Sequence, residues 1–319
     1  TLEHPELAKV LVERMQRLYG WKIEPHWLVW LPGLVCGINL CCHAVGGKGD
    51  AVMTHTPVYP PFLSGPGNAG KALQTVPLRL NNELWQIDFD ELEAATTPQT
   101  RLYLLCNPHN PTGRVFDRGE LTRLAEWAEK HDIVICSDEI HCDLILDDVS
   151  HTPIASLAET ISDRTITLMA PSKTFNLAGI GLSFAIISNP SLRKQVQRAQ
   201  QGLVPHPNLF GYVAALAAYR EGQGWLDALL EYLRQNRDMS WKAINELEGL
   251  SMARPQATYL GWIDTRNRNL SKPGRFFENH GVGLSDGEPF GASGFVRINY
   301  GCPQSQLEKI IERIKTALA

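Results

Sequence analysis

The chain lacks an apolar run of the roughly 18 residues that a bilayer crossing requires, which excludes a spanning helix. It lacks a surplus of either charge. Its 30 basic and 34 acidic residues leave a net charge of −4, with the signs interspersed, so no basic stripe marks a surface for nucleic acid or for an anionic membrane. It lacks a CxxC pair, and its cysteines therefore spell out no zinc site. There are seven of them, at 36, 41, 42, 106, 136, 142 and 302. The number is odd and most fall in apolar runs, the pattern of buried free thiols in a reducing cytosol rather than of disulfides. Internal repeats and low-complexity linkers are absent, which removes solenoids and disordered arrays. No leader of the secretory kind opens the sequence. The expectation is a cytoplasmic protein that engages neither nucleic acid nor membrane.

What is present is ordinary globular composition over 319 residues, enough for one large domain and a smaller one. Short apolar runs alternate with helical patterns. The runs at 51–55, 73–77, 101–106, 133–137, 165–170 and 182–188 predict strands, several apolar throughout, as strands buried on both faces are. Helical periodicity covers 5–19, with Leu7, Val10, Leu11, Met15 and Leu18 on one face, and also 34–44, 118–131, 191–201 and 209–219. This alternation predicts an α/β fold with a mostly parallel sheet. A longer helical pattern, 225–247, leads into a small α+β unit: strands at 258–264 and 295–299, a helix near 274–279, and a closing helix with Leu307, Ile310, Ile311, Ile314 and Leu318 on one face. The predicted domains are 1–226 and 227–319. Residues 65–70 fit GxGxxG, but Pro60 and Pro61 precede them and a strand-like run follows, so a surface loop is predicted instead of a dinucleotide fingerprint.

Chemistry concentrates between Arg101 and Gly181. Asn107–Gly113 (NPHNPTG) follows one strand, Ser137–His141 (SDEIH) ends the next, and Ala170–Asn176 (APSKTFN) ends a third. Each sets polar groups just past the carboxyl end of an apolar strand, where parallel α/β sheets bind ligands. Taken singly, Asn110 could belong to a turn, Asp138 could cap a helix and Lys173 could be a solvated lysine. Together they suit pyridoxal 5′-phosphate (PLP). A lysine amine forms a Schiff base with the aldehyde, a carboxylate pairs with the ring nitrogen, and a donor serves the phenolic oxygen.

At these residues the chain resembles the fold-type I PLP enzymes of the aspartate aminotransferase superfamily, and within it the MalY/PatB branch of cystathionine β-lyases. The resemblance includes Thr56–Phe62 (TPVYPPF), Ser137–Leu144 (SDEIHCDL), Ser172–Gly179 (SKTFNLAG) and Gly294–Pro303 (GFVRINYGCP) and runs through nearly the whole chain. It implies roles. Lys173 carries the cofactor and shuttles protons, Asp138 holds the pyridine nitrogen, Asn110 reaches the phenolic oxygen, and Tyr59 stacks on the ring. Arg297 grips the substrate carboxylate through a planar fork. His141 is either a second donor near the phenolic oxygen or a packed histidine. The phosphate falls to the helix start at Gly33, Leu34 and Val35, with the Ser172 hydroxyl. Two positions depart from the aminotransferase pattern: Gly181, where many members carry a phosphate-binding arginine, and Ala170, often serine. Members also carry an N-terminal segment that reaches the neighbouring subunit's phosphate. No counterpart precedes the helix at Pro5, so in a chain starting at Thr1 the substrate mouth would stand open.

The function implied is β-elimination from a cysteine-type amino acid, giving pyruvate, ammonia and a thiol, in a homodimer with shared active sites. A class I/II aminotransferase is the alternative. A PLP-fold regulatory or binding protein is a further one, against which Lys173, Asp138 and Arg297 argue.

Overall fold

The computed structural model describes residues 4–319; the start at Thr1, and with it the expectation of an open mouth, lies outside them. Seven strands form the main sheet: β1 (Leu28–Leu31), β2 (Ala51–Thr56), β3 (Ala72–Pro77), β4 (Thr100–Cys106), β5 (Val134–Asp138), β6 (Thr165–Met169) and β7 (Ser183–Ile186). Their order is β1-β7-β6-β5-β4-β2-β3. Only β7 runs against its neighbours; the other pairings are parallel. The six expected strands are there, shifted by a residue or two at their ends. β1 was not foreseen, because four residues between Pro25 and Pro32 give too short a period to read. Apolar residues cover both faces. Helix Leu34–Ala44 packs on one side with Ile38, Leu40 and Cys41, and helix Arg118–Lys130 on the other with Leu121, Leu124 and Trp127.

One expectation is corrected. Residues 65–70 are not a surface loop: helix Pro61–Asn68 includes Gly65 and Gly67, and Gly70 closes it at φ +67°. Proline in a first helical turn sacrifices no hydrogen bond, so Pro60 and Pro61 start this helix instead of preventing it. Gly65 packs closely against the helix at 34–44, where a Cβ would stand 3.3 Å from the Cys42 sulfur.

A second, antiparallel sheet comprises β8 (Ser251–Met252), β9 (Leu260–Asp264), β10 (Ser285–Asp286) and β11 (Phe295–Asn299), in the order β8-β9-β11-β10. Helices Gln223–Asn245 and Gln304–Leu318 cover it, and Leu307, Ile311 and Ile314 of the closing helix are buried as its periodicity requires. The first helix, Pro5–Tyr19, buries Leu7, Leu11 and Met15 but leaves Leu18 exposed. Arg14 is buried with the apolar face. None of the helices formed by the described residues is long and apolar enough to cross a membrane, and the seven cysteines are free.

Candidate active site

Three parallel strands end at one edge of the main sheet. Asp138 is the last residue of β5, opposite Cys106 of β4 and Leu168 of β6. Asn110 lies just past β4. Lys173 lies just past β6, in the short helix Pro171–Thr174. The loop after β4 is held firmly. The Asn107 amide donates to the Asp138 carbonyl (3.0 Å), and the Asn107 side chain accepts from the Phe116 amide (3.0 Å). Gly113 has φ +70°, and a Cβ there would come within 2.5 Å of the Pro255 Cβ, so only glycine lets the loop press against the chain before β9. Its carbonyl accepts from the amides of Gln256 and Ala257 (2.9 and 3.0 Å), which bonds the main sheet's loop to the second sheet's approach.

All ten residues singled out in the sequence line one cavity of about 400 Å³: Gly33, Leu34, Val35, Tyr59, Asn110, Asp138, His141, Ser172, Lys173 and Arg297. They come from both sheets and from helix Leu34–Ala44.

The donor set fits PLP. Asp138 is only 5% exposed, and among the described residues no cation stands within ion-pair distance of its carboxylate. Asp138 Oδ1 accepts a hydrogen bond from the Ile140 amide (3.1 Å). Burial pushes its pKa up to about 7; the adjacent Glu139 adds to this, while the Ile140 amide and the Lys173 charge oppose it. A buried carboxylate without a cation is costly unless something charged completes it, and a pyridinium N–H supplies that charge. Glu139 beside it is already served: its two oxygens meet the Ser137 hydroxyl and His151 Nε2, both at 2.8 Å. The helix start at Leu34 has no side-chain cap, which leaves its first amides available to a phosphate.

Arg297 sits in the middle of β11. Nη1 donates to Asn110 Oδ1 (2.9 Å), Nη2 reaches the Ser285 hydroxyl (3.4 Å), and the guanidinium lies 4.8 Å from the Phe290 ring centroid. With its oxygen engaged, Asn110 keeps its amide N–H groups for a cofactor oxygen. The Tyr59 amide donates to the Asn110 carbonyl (3.1 Å), which ties those two residues together. His141 is buried and its Nδ1 has no partner among the described residues. Burial, then the charges of Lys173 and Arg297, lowers its pKa to about 3, so it is neutral and can accept or donate one hydrogen bond.

Gly181 has φ +67°, and a Cβ would lie 3.3 Å from the Pro32 carbonyl. An arginine at this position would be strained, and the residue does not line the cavity. Ala170 is buried as the cap before the lysine-bearing helix. Sequence reasoning missed Tyr259, which lines the cavity and meets the His141 ring edge-on at 6.0 Å. It follows Thr258, a β-branched residue at φ +73°, a conformation no sequence pattern announces. Cys106 also lines the cavity and accepts a hydrogen bond from the Asn110 amide at 3.4 Å.

The chain is 36% identical to cystathionine β-lyase PatB of Bacillus subtilis over 313 residues, covering 96% of this chain and 81% of that protein. Among solved structures, that of OvoB superposes with a TM-score of 0.98 at 48% identity, over 100% of this chain and 84% of that one. A PLP-bound C–S lyase from Staphylococcus hominis superposes at 0.93 and 33% identity, over 100% and 83%. The family model for class I and II aminotransferases matches residues 1–314. The fold agrees with these likenesses, and the chain belongs to the class I and II aminotransferase family.

Proposed function

We propose that the protein is a PLP-dependent carbon–sulfur β-lyase acting on cystathionine or a similar cysteine derivative. The observation that carries this reading is the buried Asp138, without an ion-pair partner among the described residues, in one cavity with Lys173, Asn110 and Arg297. The lyase names of the relatives narrow the reaction. Bound PLP supplies an electron sink for the pair released when the substrate's α-proton leaves. The Lys173 amine would hold the cofactor and, once freed, would be placed to take the substrate's α-proton. Asp138 would pair with the ring nitrogen, and Asn110 would donate to the phenolic oxygen. Tyr59 would cover the ring face. Gly33, Leu34 and Val35 offer backbone amides to the phosphate, and Ser172 offers its hydroxyl. Arg297 orients the α-carboxylate, braced by Asn110 and Ser285. The neutral His141 stands beside these groups as a second hydrogen-bonding side chain. The electron pair left by the α-proton would form the Cα–Cβ double bond as the Cβ–S bond breaks with its own pair on sulfur, which leaves as a thiolate and takes up a proton. Water converts the three-carbon remainder to pyruvate and ammonia.

In this reading residues 1–226 form the cofactor domain and 227–319 the domain that grips the carboxylate, and the protein works in the cytoplasm, where its free thiols stay reduced. It works as a homodimer. Leu203, Leu209, Phe210 and Val213 stand 74, 62, 78 and 51% exposed along one short stretch, an apolar strip suited to a second copy of the chain. Light scattering should find a dimer at micromolar concentration, and a fully active monomer would refute the shared site. Transamination is the second reading, favoured by the family model itself. Incubation with cystathionine should yield pyruvate, ammonia and a free thiol. A keto acid that retains the sulfur side chain, formed with an amino donor, would establish the aminotransferase instead.

A further inference from the structure

Behind the cavity lies a second buried network that no step of the reaction uses. Arg14 of the first helix donates through Nη2 to Asp143 Oδ1 at 2.5 Å, and the two side chains are only 5 and 6% exposed. The other oxygen of the same carboxylate, Oδ2, accepts from the Thr174 hydroxyl at 3.0 Å. Thr174 is fully buried and directly follows Lys173. The Arg14 guanidinium also lies over the Tyr219 ring, 5.0 Å from its centroid. Tyr19, at the end of the same helix, is hydrogen-bonded to Cys142, the neighbour of Asp143.

The segment between Asp138 and Asp143 is a chain of tight turns. The Cys142 amide donates to the Glu139 carbonyl (3.0 Å) and the Leu144 amide to the His141 carbonyl (2.9 Å). The lysine-bearing turn is similarly closed: the Phe175 amide donates to the Pro171 carbonyl (2.9 Å) and the Leu177 amide to the Ser172 carbonyl (3.0 Å). Asp143 therefore joins two stiff pieces of backbone, one ending in Asp138 and the other holding Lys173. Stability alone is a weak reason for such a pair, because the desolvation of two buried charges commonly cancels their attraction. A lysine on a flexible four-carbon stem needs its backbone fixed if its amine is to meet a cofactor atom.

We propose that Arg14, Asp143 and Thr174 form a buried relay that positions Lys173 against Asp138, which makes the helix Pro5–Tyr19 part of the support of the cofactor site. These are positioning residues, and the proposal rests on the reading that Lys173 holds PLP. Thr174→Val keeps the side chain's shape and removes its hydroxyl; Thr174→Ser keeps the hydroxyl. Cofactor-free Thr174→Val protein should capture added PLP onto the lysine about tenfold more slowly than wild type, followed by absorbance and by borohydride fixation to the chain. The loaded variant should lose roughly tenfold to a hundredfold in kcat on cystathionine, with KM changed by less than about twofold. Thr174→Ser should recover both to within about threefold of wild type. Should Thr174→Val not fold, Thr174→Ala, which cannot clash, takes the same measurements. Capture at the wild-type rate in the valine or alanine variant, or failure of serine to rescue, overturns the relay. Capture needs no substrate, so an error in the proposed reaction leaves this result interpretable. Lys173→Ala protein that still fixes PLP under borohydride would instead show that the lysine assignment itself is wrong.

Discussion

The two sheets furnish the cavity in different ways. The main sheet places its chemistry beyond the strands: Asn110 and Lys173 follow β4 and β6, and Asp138 is the last residue of β5. The second sheet places its chemistry inside a strand, with Arg297 at the centre of β11 between the apolar Val296 and Ile298. The difference fits the proposed task. A ring must be met from several directions at once, and loops at a shared strand edge can converge on it. A carboxylate needs one planar fork, and a strand fixes that fork's direction with little help. The sheets are joined where they meet, by the Arg297–Asn110 hydrogen bond at 2.9 Å and by the Gly113 carbonyl with the amides of Gln256 and Ala257.

Removing the amine on the main-sheet side breaks the comparison most severely. In the proposed reading Lys173 is the base that takes the α-proton, so Lys173→Ala should lower turnover by at least about a thousandfold. Borohydride should then fix no cofactor to the chain. Asp138→Asn comes next. The loss of one buried charge-assisted contact, on the order of 1.5–3 kcal/mol, predicts a fall of roughly tenfold to a hundredfold in kcat with PLP still bound. Activity within a factor of a few of wild type would remove Asp138 from the mechanism.

On the second-sheet side the effect should fall on binding. Arg297→Lys replaces a planar fork with a point charge, so KM for the amino acid should rise about tenfold while cofactor absorbance stays unchanged. If kcat falls and KM does not move, the carboxylate is held elsewhere and the division of labour between the sheets fails.

The main-sheet groups were legible because each follows an apolar run that can only be a buried strand, and three such runs carried complementary chemistry in order. Arg297 was legible for the opposite reason, a lone charge inside an apolar strand. What could not be read was pairing at a distance. Arg14 and Asp143 are 129 residues apart and Asp143 and Thr174 are 31 apart, so no local period reports them. Arg14 also breaks the amphipathic rule by which the first helix was recognised, since a charge sits on its buried face. Residues 65–70 misled because proline was taken as a breaker where it is a helix starter. Tyr259 was hidden because its placement depends on the left-handed backbone of Thr258.

The last prediction tests the state of the Asp138 carboxylate itself and needs no substrate. In the protein without cofactor the Asp138 pKa stands at about 7, above its ordinary 3.8. The folded state therefore binds this proton more tightly than the unfolded chain does. Stability from this group is fully present below about 3.8, declines as pH rises from 3.8 towards 7, and changes no further above that. Each unit by which a buried pKa is displaced is worth about 1.4 kcal/mol, so the decline amounts to a few kcal/mol at most. Asp138→Asn cannot titrate, so in denaturant melts of cofactor-free protein this variant should gain on wild type over that window and run parallel to it at higher pH. PLP should reverse the trend, because a cation at the ring nitrogen lets the Asp138 carboxylate ionise without penalty, and its stabilising effect should be larger for wild type than for the variant above pH 7. Parallel curves across the whole range would mean that the Asp138 carboxylate is already satisfied without a cofactor, and that the main sheet's edge is not waiting for a cation.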